Sequence, residues 1–313
     1  MSMQSLPVEI AYTILRFVGS DSLRKQEAGC LLVSKWWYNL AETVLLEDLV
    51  LNTNQLVHLP EKTFDKLKIL ARRLTVDMKD TLDSHGHEEL DRCFSRLLPH
   101  CSRLIGLNLL AHSHFDPEEP LAPHINYLET WSPTRLLDTL QCSKISELVI
   151  DTCGSEVKGG VHICPHLALN ISCLRYIRLR MRSICPQVFD LQHDSKIESI
   201  LINLSLMEPG RLHAGFSRHC TESNSAYQLC EDMVAAATKV AKSQPSMKML
   251  RILCHRHPYL EMVSRDCING TEMILSIDDG WGWSDNGHPN SDDGEDSGQD
   301  LFSTDSEDNV RFI

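Results

Sequence analysis

No run of about 18 apolar residues occurs in this 313-residue chain, so a hydrophobic helix crossing a membrane is not expected. A secretory leader is not expected either, because Glu9 precedes the first basic residue, Arg16, and no clean apolar stretch surrounds them. The chain therefore reads as intracellular, in the cytoplasm or nucleus, where thiols stay reduced. Its twelve cysteines never form Cys-x-x-Cys, and they read as small buried hydrophobes rather than as a disulfide framework. The sequons at Asn170, Asn203 and Asn269 are discounted, since such short patterns arise by chance and matter only in secreted chains.

Also missing are the Gly-x-Ser-x-Gly elbow, the phosphate-binding Gly-x-x-x-x-Gly-Lys-Ser/Thr loop, the Gly-x-Gly-x-x-Gly turn and the His-Glu-x-x-His helix. "GFSRHC" from Gly215 lacks the second glycine of an elbow and reads as a loop. No catalytic residue is assigned, and an enzyme is not expected. "HICPH" is the sharpest metal candidate, because His162, Cys164 and His166 would share a face of an extended segment. Structural zinc usually shows two ligand pairs at standard spacings, which this chain lacks, so neither a metal nor a cofactor is expected. The pairs His85/His87, His112/His114 and His255/His257 read as loop and surface residues.

Basic charge is absent from Asp278 to Asp308, where eleven acidic residues fall. Without that segment the net charge of −13 shrinks to −2. The body is nearly balanced and announces neither a nucleic-acid face nor a surface for anionic membranes. The tail itself, rich in Gly, Ser, Asn and Asp, should stay solvated because it has too little apolar surface to offset ordering. Ser297 and Thr304 each precede an acidic residue by three positions, a pattern acidophilic kinases accept, and the tryptophans of "GWGW" (280–283) are expected to pack against the last strand.

With 42% hydrophobic residues the chain can build a sizeable core. In "SLPVEIAYTILRFV", Ser5 can cap a helix and Pro7 can occupy its first turn. Ile10, Ile14, Phe17 and Val18 then form an apolar stripe. Gly19, Ser20 and Asp21 supply a break and a new cap. Further on, "LLVSKWWYNLAETVLL" repeats Leu32, Trp36, Leu40 and Val44 at four-residue spacing, with Leu31, Val33, Trp37 and Ala41 widening the band. Helices this short make a poor independent core. They must pack on the rest of the chain or on another protein.

The order of these residues resembles the F-box, a three-helix motif that opens on Leu-Pro-x-Glu-Ile and closes on a Val-Ser-Lys-x-Trp helix. The matches are Leu6, Pro7, Glu9, Ile10, Ile14 and Leu15 at one end, and Val33, Ser34, Lys35 and Trp37 at the other. The linker "GSDSLRKQEAGC" is longer and more charged than usual. The resemblance implies docking of a Skp-type adaptor, and through it a cullin, on Leu6, Pro7, Glu9, Ile10, Ile14, Leu15, Leu32, Val33, Trp36, Trp37 and Leu40. An unidentified protein target would then be held elsewhere on the chain.

From residue 60 onward one phrase recurs, apolar-x-x-apolar-x-apolar: "LIGLNL" from Leu104, "ISELVI" from Ile145, "LRYIRL" from Leu174, "IESILI" from Ile197 and "MKMLRI" from Met247. "ARRLTV" and "EMILSI" are looser copies. Period-two alternation makes each phrase a half-buried strand. "HEELDRCFSRLLPH", "SPTRLLDTLQ" and "AYQLCEDMVAAATKVAKS" read as helices between them. Alternating elements that cannot bury their apolar faces alone suggest stacking, and the pattern resembles the degenerate leucine-rich repeats found behind F-boxes. An ordinary α/β sheet is the alternative.

The expectation is thus an α+β chain: an F-box over 1–50, a leucine-rich-repeat-like α/β solenoid that binds the target over 51–277, and a disordered acidic tail over 278–313. Its function would be that of a substrate-recognition subunit of a Skp–cullin–F-box ubiquitin ligase, or alternatively a non-degradative F-box scaffold.

Overall fold

The computed structural model describes residues 6–25, 34–78, 84–111, 126–141, 143–152, 155–157, 161–192, 195–206, 215–221, 225–256, 261–275 and 288–289. Helix α1 spans Val8–Val18, with Pro7 as its N-cap and Glu9 in its first turn. Its stop is conformational: Gly19 has φ of 81°, a left-handed value that glycine adopts at little cost, and its N–H donates to the Leu15 carbonyl. α2 (Ser20–Lys25) follows directly. α3 (Lys35–Glu47) begins where the Ser34 hydroxyl accepts the Trp37 N–H. Ala11 and Leu15, one turn apart, meet Leu23, Trp37, Ala41 and Val44 in a small core, with Tyr12, Val18, Trp36, Leu40 and Leu45 packed around it. Ser5, the expected cap of α1, lies outside the described residues.

The rest is a single ten-stranded sheet whose spatial order is the chain order. Strands β1 (Asp48–Asn52), β2 (Arg73–Asp77), β3 (Gly106–Leu110), β4 (Glu147–Asp151), β5 (Tyr176–Arg180), β6 (Ser199–Asn203) and β7 (Met249–His255) are parallel. β8 (Met262–Asp266), β9 (Glu272–Ile274) and β10 (His288–Pro289) continue it antiparallel. A parallel step needs a crossover. Helices supply most of these: α4 (Thr53–Val57) and α5 (Glu61–Leu70), α6 (Ser84–Leu97), α7 (Thr134–Gln141), α8 (Cys164–Ile171) and, before β7, α9 (Ala226–Ser243). Between β5 and β6 the crossover carries a 3-10 turn at Pro186–Phe189.

The recurring phrase explains this sheet. In each copy from "ARRLTV" to "MKMLRI" the strand starts at the third position, and the apolar fourth and sixth positions face one way. Register then aligns them: Leu49, Leu74, Leu107, Leu148, Ile177, Ile200 and Leu250 form one continuous row. All are buried. The first position of each phrase (Ala71, Leu104, Ile145, Leu174, Ile197, Met247) is buried too, in the same core as the crossover helices. "EMILSI" differs: its strand, β9, is antiparallel and does not repeat the unit.

Two boundaries move. Residues Asp48–Asn52, partly inside the expected first unit, pair with β2, so the helical unit ends at Glu47. His288 and Pro289, inside the expected solvated tail, pair with β9. Ser297, Thr304 and the "GWGW" tryptophans lie outside the described residues. No helix among the described residues is long and apolar enough to cross a membrane.

α3 enters β1 without a loop, and Glu47 at the junction is buried. Arg16 of α1 lies 3.3 Å from one of its carboxylate oxygens and Arg103, before β3, 3.6 Å from the other. Arg24 donates to the carbonyls of Leu45 and Asp48, and the Glu47 carbonyl accepts the Arg72 N–H. The helical unit and the sheet are therefore cross-tied at this junction, and Lys66 of α5 reaches Glu42 of α3 at 2.7 Å beside it.

Candidate functional site

Three features merit description: the outer face of α1, the open face of the sheet, and a thiol cluster at the strand ends. The side of α1 opposite its buried positions faces solvent. Ile10 is 50% exposed, Ile14 42% and Phe17 93%, at spacings of four and three, so they form one stripe, and Leu6 extends it. Pro7 and Glu9 are exposed beside them. Leu15 (1% exposed) and Trp37 (7%) face inward instead. Trp36 and Leu40 are half-buried against the same core, the two indole rings lying 6.2 Å apart. The residues named for adaptor binding thus divide into an outer stripe and an inner support, while Leu32 and Val33 lie outside the described residues. Burial, and then the hydrogen bond to Glu47, pushes the Tyr12 phenol above its ordinary range.

The open face carries the strand positions that point away from the core. Arg73 and Glu147 sit on β2 and β4, yet their charged groups are 3.3 Å apart across β3. Gly106 makes this possible, since a Cβ there would come within 3.2 Å of Arg73 Cγ and 3.4 Å of Glu147 Oε2. Asn108 donates to Thr75 on the same face. Arg73, Asn108 and Glu147 line a shallow hollow of about 400 Å³ together with Val149, Tyr176, Arg178 and Ser199. Along one rim Glu198 takes Arg175 and Lys248, and those cations hold its carboxyl below the usual range, Lys248 most. At the opposite strand ends, Arg180 pairs in a fork with Asp151 at 2.7 and 2.6 Å, both side chains nearly buried. The hollow mixes charge, amide and aromatic surface, which suits a polar protein segment.

The third feature lies beyond the carboxyl ends of β4 to β6. His162 Nε2 is 3.0 Å from Cys185 Sγ, and Cys164 Sγ is 3.6 Å from Cys220 Sγ. All four donor atoms lie within 4.8 Å of one another. Cys164 starts α8, Cys185 precedes the 3-10 turn, and Cys220 lies near the end of a strap, residues 215–221, that crosses the strand ends. The strap is held by the bridges Ser183↔Arg218 and Ser205↔Phe216, by Ser217 Oγ donating to the Met181 carbonyl at 2.6 Å, and by the Phe216 ring edge-on to His255. Hydrogen bonds from Cys164 and then Cys220 hold the Cys185 thiol down to about 2, while those to Cys185 and Cys220, with burial, push Cys164 far up. Burial raises Glu156 nearby, but Arg218 and Ser183 outweigh it and leave the carboxyl below its ordinary range.

"HICPH" therefore supplies two of the four residues and not the third it offered. The segment turns helical at Cys164, and His166 falls outside the cluster. Cys185 and Cys220 were invisible to spacing, because each comes from a different crossover. "GFSRHC" is the strap, and its Ser217 is buried as a donor to backbone. Asn170 and Asn203 are buried as well, so those two sequons are structural. Compared with protein-family models, curated proteins and solved structures, the chain matches nothing in any of the three.

Proposed function

We propose that the chain is a substrate receptor of a Skp–cullin–F-box ubiquitin ligase, acting in the cytoplasm or nucleus. It would bind a Skp-type adaptor through α1 and α3 and a target protein through the open face of the sheet. The observation that carries this reading is the apolar stripe of Leu6, Ile10, Ile14 and Phe17. It is exposed on a helix whose other side is already filled, in a segment whose residue order resembles an F-box. Isolated exposed apolar residues need no explanation, but an aligned stripe is a docking surface. The resemblance to leucine-rich repeats is supported by one parallel strand for each phrase from "ARRLTV" to "MKMLRI", in chain order, with a buried ladder on one face.

In this reading the chain carries no catalytic group of its own. It raises the effective concentration of the target beside a ubiquitin-loaded enzyme recruited by the cullin, and proximity supplies the acceleration. A non-degradative scaffold would use the same adaptor contact without delivering a target. Co-expression with a Skp-type adaptor tests the reading: the native chain should co-purify at equal stoichiometry, and Ile10→Ala/Ile14→Ala/Phe17→Ala should not. A native chain that ignores the adaptor refutes it. Assembly of a cullin complex that alters no bound protein's lifetime favours the scaffold.

A further inference from the structure

We propose that His162, Cys164, Cys185 and Cys220 form a structural zinc site that clamps three consecutive crossovers of the sheet. The donor set comes first: three sulfurs and one imidazole nitrogen are what tetrahedral zinc prefers, and they fill all four positions. The spacing comes second. With zinc–sulfur bonds of about 2.3 Å and zinc–nitrogen bonds of about 2.0 Å, ligand atoms of one tetrahedral ion stand roughly 3.3–3.8 Å apart. The observed 3.0 Å and 3.6 Å pairs, and the 4.8 Å ceiling on all separations, bracket that value. A two-iron cluster would hold its ligand pairs farther apart.

Third, the donors are positioned by bonds that owe nothing to a metal. The Ile184 N–H donates to the Arg218 carbonyl at 3.0 Å, the Arg218 N–H donates to the Arg182 carbonyl at 2.8 Å, and Ser217 anchors the strap to Met181. Cys164 and Cys185 are buried, whereas His162 and Cys220 are half-buried, so the cluster is not sealed from solvent. A merely apolar thiol cluster gives no reason for an imidazole nitrogen to be aimed at sulfur in its midst. Binding would balance simply: hydrated Zn²⁺ sheds its waters, the three cysteines bind as thiolates with their protons passing to solvent, and neutral His162 donates the Nε2 lone pair. The resulting charge of −1 would lie near Arg218, two residues before Cys220 on the strap.

No position is left for water or substrate, so the ion would be structural. It would join the β4–β5 crossover through His162 and Cys164, the β5–β6 crossover through Cys185, and the β6–β7 crossover through Cys220.

The test uses the full chain purified from zinc-supplemented cells without chelator. Elemental analysis should find about one zinc per chain. Cys185→Ser and Cys220→Ser should lose it during dialysis against a mild chelator, and exposed Cys173→Ser should keep it. Because a ligand variant could misfold, cobalt(II) is also titrated into chelator-stripped native chain. The expected result is the intense visible bands and sulfur-to-metal charge transfer of tetrahedral thiolate cobalt, saturating at about one equivalent and bleached by zinc. Four results would overturn the proposal: no zinc in the native chain, a weak octahedral cobalt spectrum, zinc retained by both ligand variants, or a Cys164–Cys220 disulfide in place of the metal.

Discussion

Adjacent residues of α1 should respond to the same truncation in opposite ways. Leu15 is one of six buried side chains among the described residues of the small helical core, and it is 1% exposed. Truncation to Ala removes its transfer free energy and leaves a cavity, together about 2–5 kcal/mol. So small a core has little with which to refill the gap, so the loss should fall in the upper half of that range. Ile14 already faces solvent. Its truncation gives up roughly 1 kcal/mol of partial burial and regains a few tenths from the better helix propensity of Ala, for a net cost under about 1 kcal/mol. Its cost should appear at the adaptor instead, where losing a central apolar contact is worth about 1–2 kcal/mol, or roughly 5- to 30-fold in Kd. Hydrogen exchange over Val8–Val18 reads the first effect in the free chain, and calorimetric titration with a Skp-type adaptor reads the second. Leu15→Ala should accelerate exchange throughout α1, whereas Ile14→Ala should leave exchange intact and weaken binding. Equal exchange in the two variants, or unchanged affinity for Ile14→Ala, would refute the two-sided assignment of this helix.

The Asp151–Arg180 fork should be costly to break from one side. Arg180→Met removes the bidentate cationic partner of a buried carboxylate and should lower urea stability by about 3–5 kcal/mol, while Asp151→Leu/Arg180→Met should recover most of the loss. Glu156 has a depressed folded-state pKa, so its contribution is present above its ordinary value of 4.5 and is lost as pH falls through the lower folded-state value. The acid limb of a urea-midpoint curve should accordingly flatten in Glu156→Gln. Gly106→Val drives a side chain between Arg73 and Glu147. It should disturb target binding at the open face while changing stability by less than about 1 kcal/mol, because an exposed ion pair contributes little.

The strands were legible because burial on one face imposes period two, and in each copy the phrase marks the start of the strand. α9 was legible for a related reason: Leu229, Met233, Ala237 and Val240 keep a clean stripe over eighteen residues. α5 was missed because it buries only Phe64 and Leu67, too sparse a signal among six polar neighbours. β1 was hidden by its junction with α3, where the apolar run "VLLEDLVL" changes period with no turn residue to mark it. The outer stripe of α1 was visible as apolar spacing, but sequence could not tell it from the inner one: Ile14 and Leu15 are chemically alike, and only packing separates them. Only His162 and Cys164 of the thiol cluster had a local signature, in "HICPH"; Cys185 and Cys220 had none. Cys164 and Cys220 are 56 residues apart, joined by the way successive crossovers stack.

The uninterrupted passage from α3 into β1, pinned by Glu47 between Arg16 and Arg103, leaves no elbow at this junction. Whatever rests on the stripe of α1 and whatever rests on the open sheet face are held at one distance and one bearing. In the proposed receptor this would act as a ruler: it would select among the lysines of a captured protein by where they stand, and any slack in that choice would come from the captured protein itself.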